Sequence, residues 1–344
     1  MAPTNKAAFY PSDKAPTLQV ASSPYPTAGP NDVIVHVAAA AINSVDWKIQ
    51  EAGTAVFPFL QYPLVGGLDV AGTVVEVGPA VSKFRPGDRV LGFSSDFVSR
   101  AGGFQNYVVV PASVVTHLPE NTPFVDAAVL PSGVATAAVS LYQYLDLTHP
   151  SLPARPGNGQ TVLITAGASS VGSNAIQLAV ASGYEVITTA SPRHFAHCTA
   201  LGASRVFDYH SSTLLEDVKA AFRGKQCAGG LSSVESSNSL AFEVVSASEG
   251  EGKSVACTIL FSQDGVPANI RTEMIHAFHI KDTPLADVVF GTYLPAALAG
   301  GRYKCEPKPR VVGTSLESVQ TALDIGKTNA VSCEKLVVTL AGGA

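Results

Sequence analysis

A glycine-rich turn carries the clearest chemistry in this 344-residue chain. In Leu163-Ile-Thr-Ala-Gly-Ala-Ser-Ser-Val-Gly-Ser-Asn-Ala-Ile176 an apolar strand enters Gly167-x-Ser169-x-x-Gly172 and then a helix. Such a turn sets backbone N–H groups and the positive helix end against a pyrophosphate, and its glycines let strand and helix approach. Serine holds the middle glycine position, small and able to donate to phosphate. Gly167, Ser169, Ser170, Val171 and Gly172 are therefore cofactor-binding candidates, against the alternative of an ordinary small-residue turn. In an NAD-binding unit a carboxylate follows about 20 residues later, at the end of the second strand, to hold the ribose 2′-hydroxyl. Here that place reads Thr189-Ala-Ser-Pro-Arg-His194, and no carboxylate follows until Asp208. Ser191, Pro192, Arg193 and His194 instead offer the donors that a 2′-phosphate needs. Tyr209, past the third strand, would cover the phosphate or the adenine edge. The expected cofactor is NADPH.

The elements that position these residues follow from the periodicity. Gln160–Ala166 is a strand, Val171–Ser182 a helix, Glu185–Thr189 a strand, Pro192–Leu201 a helix and Ser204–Phe207 a strand. This alternation predicts an α/β, doubly wound parallel sheet. Before it, Asp32–Ile42, Val70–Val77, Arg89–Phe93 and Tyr107–Val110 are short, rich in β-branched residues and separated by Pro/Gly turns. They predict a compact β-barrel. Gly224–Gly252 is Gly/Ser-rich and does not follow the alternation, whereas Ser254–Phe261 reads as a buried strand. The last third adds a helix at Arg271–Ile280, one around Pro295, one at Ser315–Lys327, and a closing strand Lys335–Leu340.

Composition bounds the possibilities. Hydrophobic residues make up 46% and charged residues 14%, against roughly 25% charged in ordinary soluble domains, which excludes disorder. The net charge of −5, with no basic block, excludes nucleic acid as a partner. Ala127–Leu145 and Pro156–Tyr184 lack Asp, Glu, Lys and Arg, yet Pro, Gly, Ser and Thr interrupt both, so they read as interior segments rather than membrane spans. The five cysteines are scattered, with no C-x-x-C pair, which indicates neither a zinc ribbon nor a disulfide framework. No targeting segment is evident, and a cytoplasmic location is expected.

Asn43-Ser-Val-Asp-Trp-Lys48, Gly66-Gly-Leu-Asp-Val-Ala-Gly-Thr-Val-Val-Glu-Val-Gly78, Pro86-Gly-Asp-Arg-Val90, Gly103-Phe-Gln-Asn-Tyr107, the Gly167–Gly172 loop and Lys335-Leu-Val-Val338 together resemble the medium-chain dehydrogenase/reductase superfamily. The chain is similar to its zinc-free quinone and enoyl reductase branch, and particularly to fungal enoyl reductases acting in trans with polyketide synthases. The resemblance implies a GroES-like β-barrel catalytic domain over 1–132 and 288–344 and a Rossmann cofactor domain over 133–287. Zinc-dependent members carry a Cys near Asn43-Ser44, a Gly-His-Glu near Gly66–Asp69 and a four-Cys lobe after Val90. None of these is present, so no metal is expected.

Hydride transfer to a polarised C=C is then the implied reaction, with donors meeting the enolate charge on the carbonyl oxygen. By resemblance, Asn43, Val45, Asp46, Trp47 and Lys48 line the nicotinamide side, Thr136 sits at its carboxamide or substrate end, and Val337 and Val338 approach it. Lys48 and Thr136 are the catalytic candidates. Lys48 is equally a surface lysine or a phosphate contact, and Thr136 a packing residue. Ser132, Gly133, Phe278 and His279 are substrate candidates, the last two equally a buried helix face. The expected activity is NADPH-dependent enoyl or enone reduction, with quinone or carbonyl reduction and a non-enzymatic NADPH-binding role as alternatives. The expected substrate is small or carrier-bound, the expected partner a polyketide synthase, and the expected form a monomer or homodimer.

Overall fold

The computed structural model describes residues 3–259, 262–328 and 330–340. The chain divides into two compact units, Met1–Ser132 with Phe278–Ala344, and Gly133–Ala277.

In the first unit the seven-stranded sheet runs Lys308–Gly313, Glu334–Thr339, Asp32–Ala41, Asp69–Val77, Arg89–Phe93, Val115–His117, and Tyr107–Pro111 also pairs with Asp32–Ala41. A three-stranded sheet is built from Gln19–Ser23, Asn5–Tyr10 and Leu64–Val65. Asp32–Ala41 reads DVIVHVAAAA and is almost wholly buried, as a small, β-branched central strand should be. Its register matters most for the chemistry. Ala41 faces Asp69 on one side and Val337 on the other, and Ile42 N–H continues the pairing to Leu336 O at 2.9 Å. The starts of two strands and the end of a third therefore meet where Asn43 opens the helix Ser44–Ala52. That helix is tied to Ser318–Lys327 by Lys327 Nζ, which donates to Gln50 Oε1 at 2.7 Å.

In the second unit six parallel strands follow one another in the chain: Gln160–Ile164, Glu185–Ala190, Arg205–Asp208, Gln226–Ser232, Ser254–Cys257 and Arg271–Met274. Side by side they lie third, second, first, fourth, fifth, sixth. This is the Rossmann order, with its topological switch between the first and fourth strands. Helices Leu214–Phe222 and Asn238–Ala247 bury Val218, Phe222, Ala241 and Val245 against Leu163, Ile187 and Val255.

Four sequence expectations change. Gly224–Gly252 joins the alternation, supplying the fourth strand and a ten-residue helix; the strand QCAGGLS has no β-branched residue and is bulged between Cys227 and Gly229, so its pattern is hidden. Arg271–Ile280 is not a helix. Arg271–Met274 pairs residue for residue with Ser254–Cys257, and a short 3₁₀ turn Phe278–Asp282 follows. Pro192–Leu201 is a 3₁₀ turn, Pro192–His194, and then the short helix Phe195–Ala200. The return to the first unit comes at Phe278 rather than 288, because Ser113 Oγ donates to Lys281 O at 2.8 Å and the Phe278 ring packs on Phe97 with centroids 4.7 Å apart. Of the expected strand Ser254–Phe261, Ser254–Cys257 is strand, and Leu260 and Phe261 lie outside the described residues.

Among the described residues one helical run, Phe124–Tyr144, is long and apolar enough to cross a membrane, and most of it is buried inside the fold. Within Pro131–Ser140 Thr136 alone is half-exposed.

Candidate functional site

The glycine-rich turn sits at the switch point of the parallel sheet. Ala166 takes a left-handed backbone, φ 51°, and the turn is held to the second strand by Gly167 N–H donating to Thr189 O at 2.8 Å and Ala166 N–H to Thr189 Oγ1 at 3.0 Å. Ser169 caps the helix Ser170–Ala181, its Oγ accepting from Gly172 N–H at 3.0 Å. A Cβ at Gly172 would lie 2.3 Å from Ala166 O, so only glycine lets this helix start so close to the strand. Gly133 packs on the same first turn: a Cβ there would lie 2.6 Å from Asn174 Nδ2 and 2.7 Å from Ser170 Oγ. Beside the turn, Ser233 Oγ stands 3.3 Å from Ser169 Oγ, and Thr165 Oγ1 2.7 Å from Ser237 Oγ. These two serines belong to the segment whose pattern was hidden, and sequence reasoning missed them.

The end of the second strand is a donor platform without a carboxylate. Ser191 Oγ donates to Tyr209 Oη at 2.9 Å, Tyr209 is 51% exposed, and Arg193 is exposed with its Nε 3.2 Å from His194 Nε2. Burial, and then the Arg193 charge, push the His194 pKa down, so Arg193 is the cation of this platform at neutral pH. Asp208 is turned to His210, accepting from its backbone N–H and facing its Nδ1, both at 3.0 Å. His197 is engaged with Ser173 Oγ at 2.9 Å.

In the first unit the meeting strands enclose a charged cluster. Lys335 Nζ lies 2.8 Å from Asp69 Oδ2, 2.7 Å from Asn43 Oδ1 and 3.4 Å from Ser132 Oγ. The two charged side chains are 5% and 0% exposed. Asn43 Nδ2 donates to Asp69 Oδ2 at 3.1 Å, Ser132 N–H to Asp69 Oδ1 at 2.6 Å, and Ser132 Oγ lies 2.6 Å from Asn43 Oδ1. The backbone N–H of Ser132, one of the substrate candidates, is thus committed to Asp69. Asp46, also buried, accepts from Asn43 N–H at 2.7 Å and Gly67 N–H at 3.3 Å. Burial raises its pKa to about 7 against these bonds, with Asp69 raising and Lys335 lowering it. Lys335 was read as part of a closing strand and of the family pattern, not as a site residue. An ammonium between Glu334 and Leu-Val-Val was the available signal, since a lysine on a buried strand requires a partner.

The remaining candidates differ in exposure. Lys48 is half-buried with Nζ 5.6 Å from the Trp47 ring centroid. Val45 is half-buried, whereas Val337 and Val338 are fully buried opposite Ala41 and Ala40. Phe278 stacks on Phe93 with centroids 6.2 Å apart, and His279 is exposed. Among the described residues no group of three or more His, Cys, Asp or Glu is placed to hold a metal ion.

The alcohol dehydrogenase GroES-like domain family matches residues 29–120. Along its whole length the chain is similar to the dehydrogenase pigH of Monascus ruber, 41% identical over 98% of this chain and 100% of that protein. The chain belongs to the medium-chain dehydrogenase/reductase superfamily. Another similar member is the trans-enoyl reductase himH of Aspergillus japonicus, 35% identical over 98% of this chain and 97% of that protein. Among solved structures of the superfamily, one from Novosphingobium aromaticivorans superposes with a TM-score of 0.79, is 26% identical and covers 98% of this chain and 99% of that one. The GroES-like and Rossmann units expected from sequence are those of this superfamily. Where its zinc-dependent members carry Cys and His-Glu ligands, this member has Asn43, Leu68 and Asp69.

Proposed function

We propose that this protein is an NADPH-dependent, metal-independent reductase of the C=C bond of α,β-unsaturated carbonyl compounds. The platform at the end of the second strand carries the cofactor half of this reading: Ser191 bonded to Tyr209 beside exposed Arg193, with no carboxylate to meet a ribose 2′-hydroxyl. A 2′-phosphate fits these donors. The amides at the start of Ser170–Ala181, freed by glycines from side-chain crowding, fit a pyrophosphate. When bound, NADPH supplies a hydride. Metal independence is supported by the cluster itself, where Lys335 sets a cation within 2.8 Å of Asp69 and none of the four side chains is a thiolate or imidazole.

For the reacting half, Thr136 is the half-exposed hydroxyl of an otherwise buried helix and Lys48 the half-buried ammonium of Ser44–Ala52. In this proposal they donate to carbonyl or phosphate oxygens, and Phe278, with His279, borders the substrate. Gly133 serves by letting Pro131–Ala138 lie on the phosphate turn. Val45, Asp46 and Trp47 shape the nicotinamide side, and Val337 and Val338 support it from within the sheet. The relative named a trans-enoyl reductase favours an unsaturated acyl substrate and, as partner, a polyketide synthase in the cytosol.

The test measures NADPH and NADH oxidation with an enone, an enoyl thioester, a quinone and an aldehyde, with product analysis. Saturated ketone or acyl product with NADPH supports the proposal. Turnover of the quinone or aldehyde alone replaces it with the quinone or carbonyl reductase reading. Binding of NADPH without turnover of any acceptor leaves a cofactor-binding protein.

A further inference from the structure

We propose that Lys335 is a positioning residue, fixing the Asn43 carboxamide so that this side chain presents an N–H rather than a carbonyl oxygen at the accessible edge of its cluster, to bind a carbonyl oxygen of the reacting pair. This rests on the reductase reading above.

An asparagine side chain has two orientations of nearly equal shape, one the exchange of O for NH₂. In most surroundings polar neighbours accept either. Here the neighbours are of opposite and unambiguous kinds. Lys335 is donor only and stands 2.7 Å from Asn43 Oδ1; Asp69 is acceptor only and its Oδ2 stands 3.1 Å from Nδ2. Ser132 Oγ, 2.6 Å from Oδ1 and 2.8 Å from Asp69 Oδ2, has one proton for the two, so the orientation is set by Lys335 and Asp69. Exchanging the two ends would set an NH₂ against the ammonium and an oxygen against the carboxylate. The ion pair thus fixes the orientation electrostatically, in a place that excludes water and so strengthens both interactions.

This leaves Asn43 with a second N–H. Asp46, Asp69, Ser132 and Lys335 are buried, whereas Asn43 is half-buried and is the member through which the cluster reaches outward. The oxygen of that carboxamide is taken by Lys335 and Ser132, so the group left to offer is the remaining N–H, a donor. An amide donor held rigidly by charges is suited to a carbonyl oxygen, and more so when that oxygen gains negative charge during reduction. Two carbonyls have this chemistry, that of the unsaturated substrate and that of the nicotinamide carboxamide.

The experiment uses the full chain with Asn43→Ala, Lys335→Met and the double variant, plus Asp69→Asn/Lys335→Met, which leaves no unpaired buried charge if Lys335→Met fails to fold. Three quantities are read: kcat/KM for the unsaturated substrate, the NADPH dissociation constant by fluorescence, and the Asn43 side-chain amide resonances of the unliganded protein, assigned by their loss in Asn43→Ala. Asn43→Ala should either lower kcat/KM or raise the NADPH dissociation constant roughly 10- to 100-fold. A fall in kcat/KM identifies the substrate carbonyl, and weakened NADPH binding the cofactor carboxamide. Lys335→Met, or the neutral pair, should reproduce the same loss in the same constant and shift the Asn43 amide resonances, and the double variant should be no worse than Asn43→Ala. Losses that multiply in the double variant overturn the proposal, as do unchanged amide resonances or an Asn43→Ala that moves neither constant. If the wild type turns over no unsaturated acceptor, the reductase reading fails, and NADPH binding with the amide resonances decides the positioning role.

Discussion

Ser191 Oγ donates to Tyr209 Oη across 2.9 Å, joining the ends of the second and third strands of the parallel sheet through their side chains. The bond uses the Ser191 proton and leaves the Tyr209 hydroxyl free to donate, and Arg193, two residues after Ser191, is exposed. Arg193→Ala should therefore weaken NADPH binding roughly 10- to 100-fold, the equivalent of a charge-assisted contact of about 1.5–3 kcal/mol. NADH binding should change less than threefold. Titration of both cofactors checks this, and equal losses for the two would separate Arg193 from the 2′-phosphate.

The parts of the fold set by short-range pattern were legible in the sequence. Gln160–Ile164, the turn and Ser170–Ala181 lie within two residues of their expected bounds, because an apolar strand, a glycine turn and an apolar helix need no distant partner to be recognised. Gln226–Ser232 was not legible, because its place between the first and fifth strands, and not its composition, makes it a strand. The Lys335 cluster was hidden for a related reason. Asn43, Asp69, Ser132 and Lys335 are spread over almost the whole chain; the pairing of Ala41 with both Asp69 and Val337 brings three of them together, and Ser132 joins them from the helix Pro131–Ala138.

Lys48 separates two roles by its position. Its ammonium lies 5.6 Å over Trp47 on a helix held at Gln50 by Lys327, and a point charge at the end of a long stem suits a phosphate better than a proton transfer that requires close alignment. Lys48→Ala should raise the KM for NADPH about tenfold, the scale of one charge-assisted bond, while kcat stays within threefold. Steady-state kinetics with varied NADPH resolves the two. A collapse of kcat with an unchanged KM would instead make Lys48 the proton donor.

Asp46 gives stability a pH dependence of unusual sign. Its pKa is raised to about 7, chiefly by burial, and in the unfolded chain it returns to about 3.9. Between these values the folded state holds a proton that the unfolded state has released. Stability from this group is therefore full below about pH 4, falls as pH rises toward 7 and levels off above it, with a slope of at most about 1.4 kcal/mol per unit. Asp46→Asn removes that slope. Urea denaturation from pH 5 to 8, wild type against variant, should show the difference in stability changing steadily up to pH 7 and little beyond. A constant difference over the range would mean that Asp46 ionises normally inside the fold.

Gly172 tests whether the phosphate turn needs its close approach. A methyl group there would lie 2.3 Å from Ala166 O and 2.8 Å from Gly167 Cα, both backbone atoms that no rotamer change relieves. Gly172→Ala must push the start of Ser170–Ala181 away from the strand, which should cost about 1–3 kcal/mol, as overpacking does, and weaken NADPH binding at least tenfold by misdirecting the helix amides. The control is Gly224→Ala, where φ is +71° but no atom lies within 4 Å of the added carbon. That variant should lose about 1 kcal/mol to backbone strain and bind NADPH normally. Comparable stability losses with divergent cofactor affinities would assign the Gly172 effect to the turn. If both variants bind NADPH as the wild type does, the turn tolerates displacement and the pyrophosphate contact must be sought elsewhere in the unit.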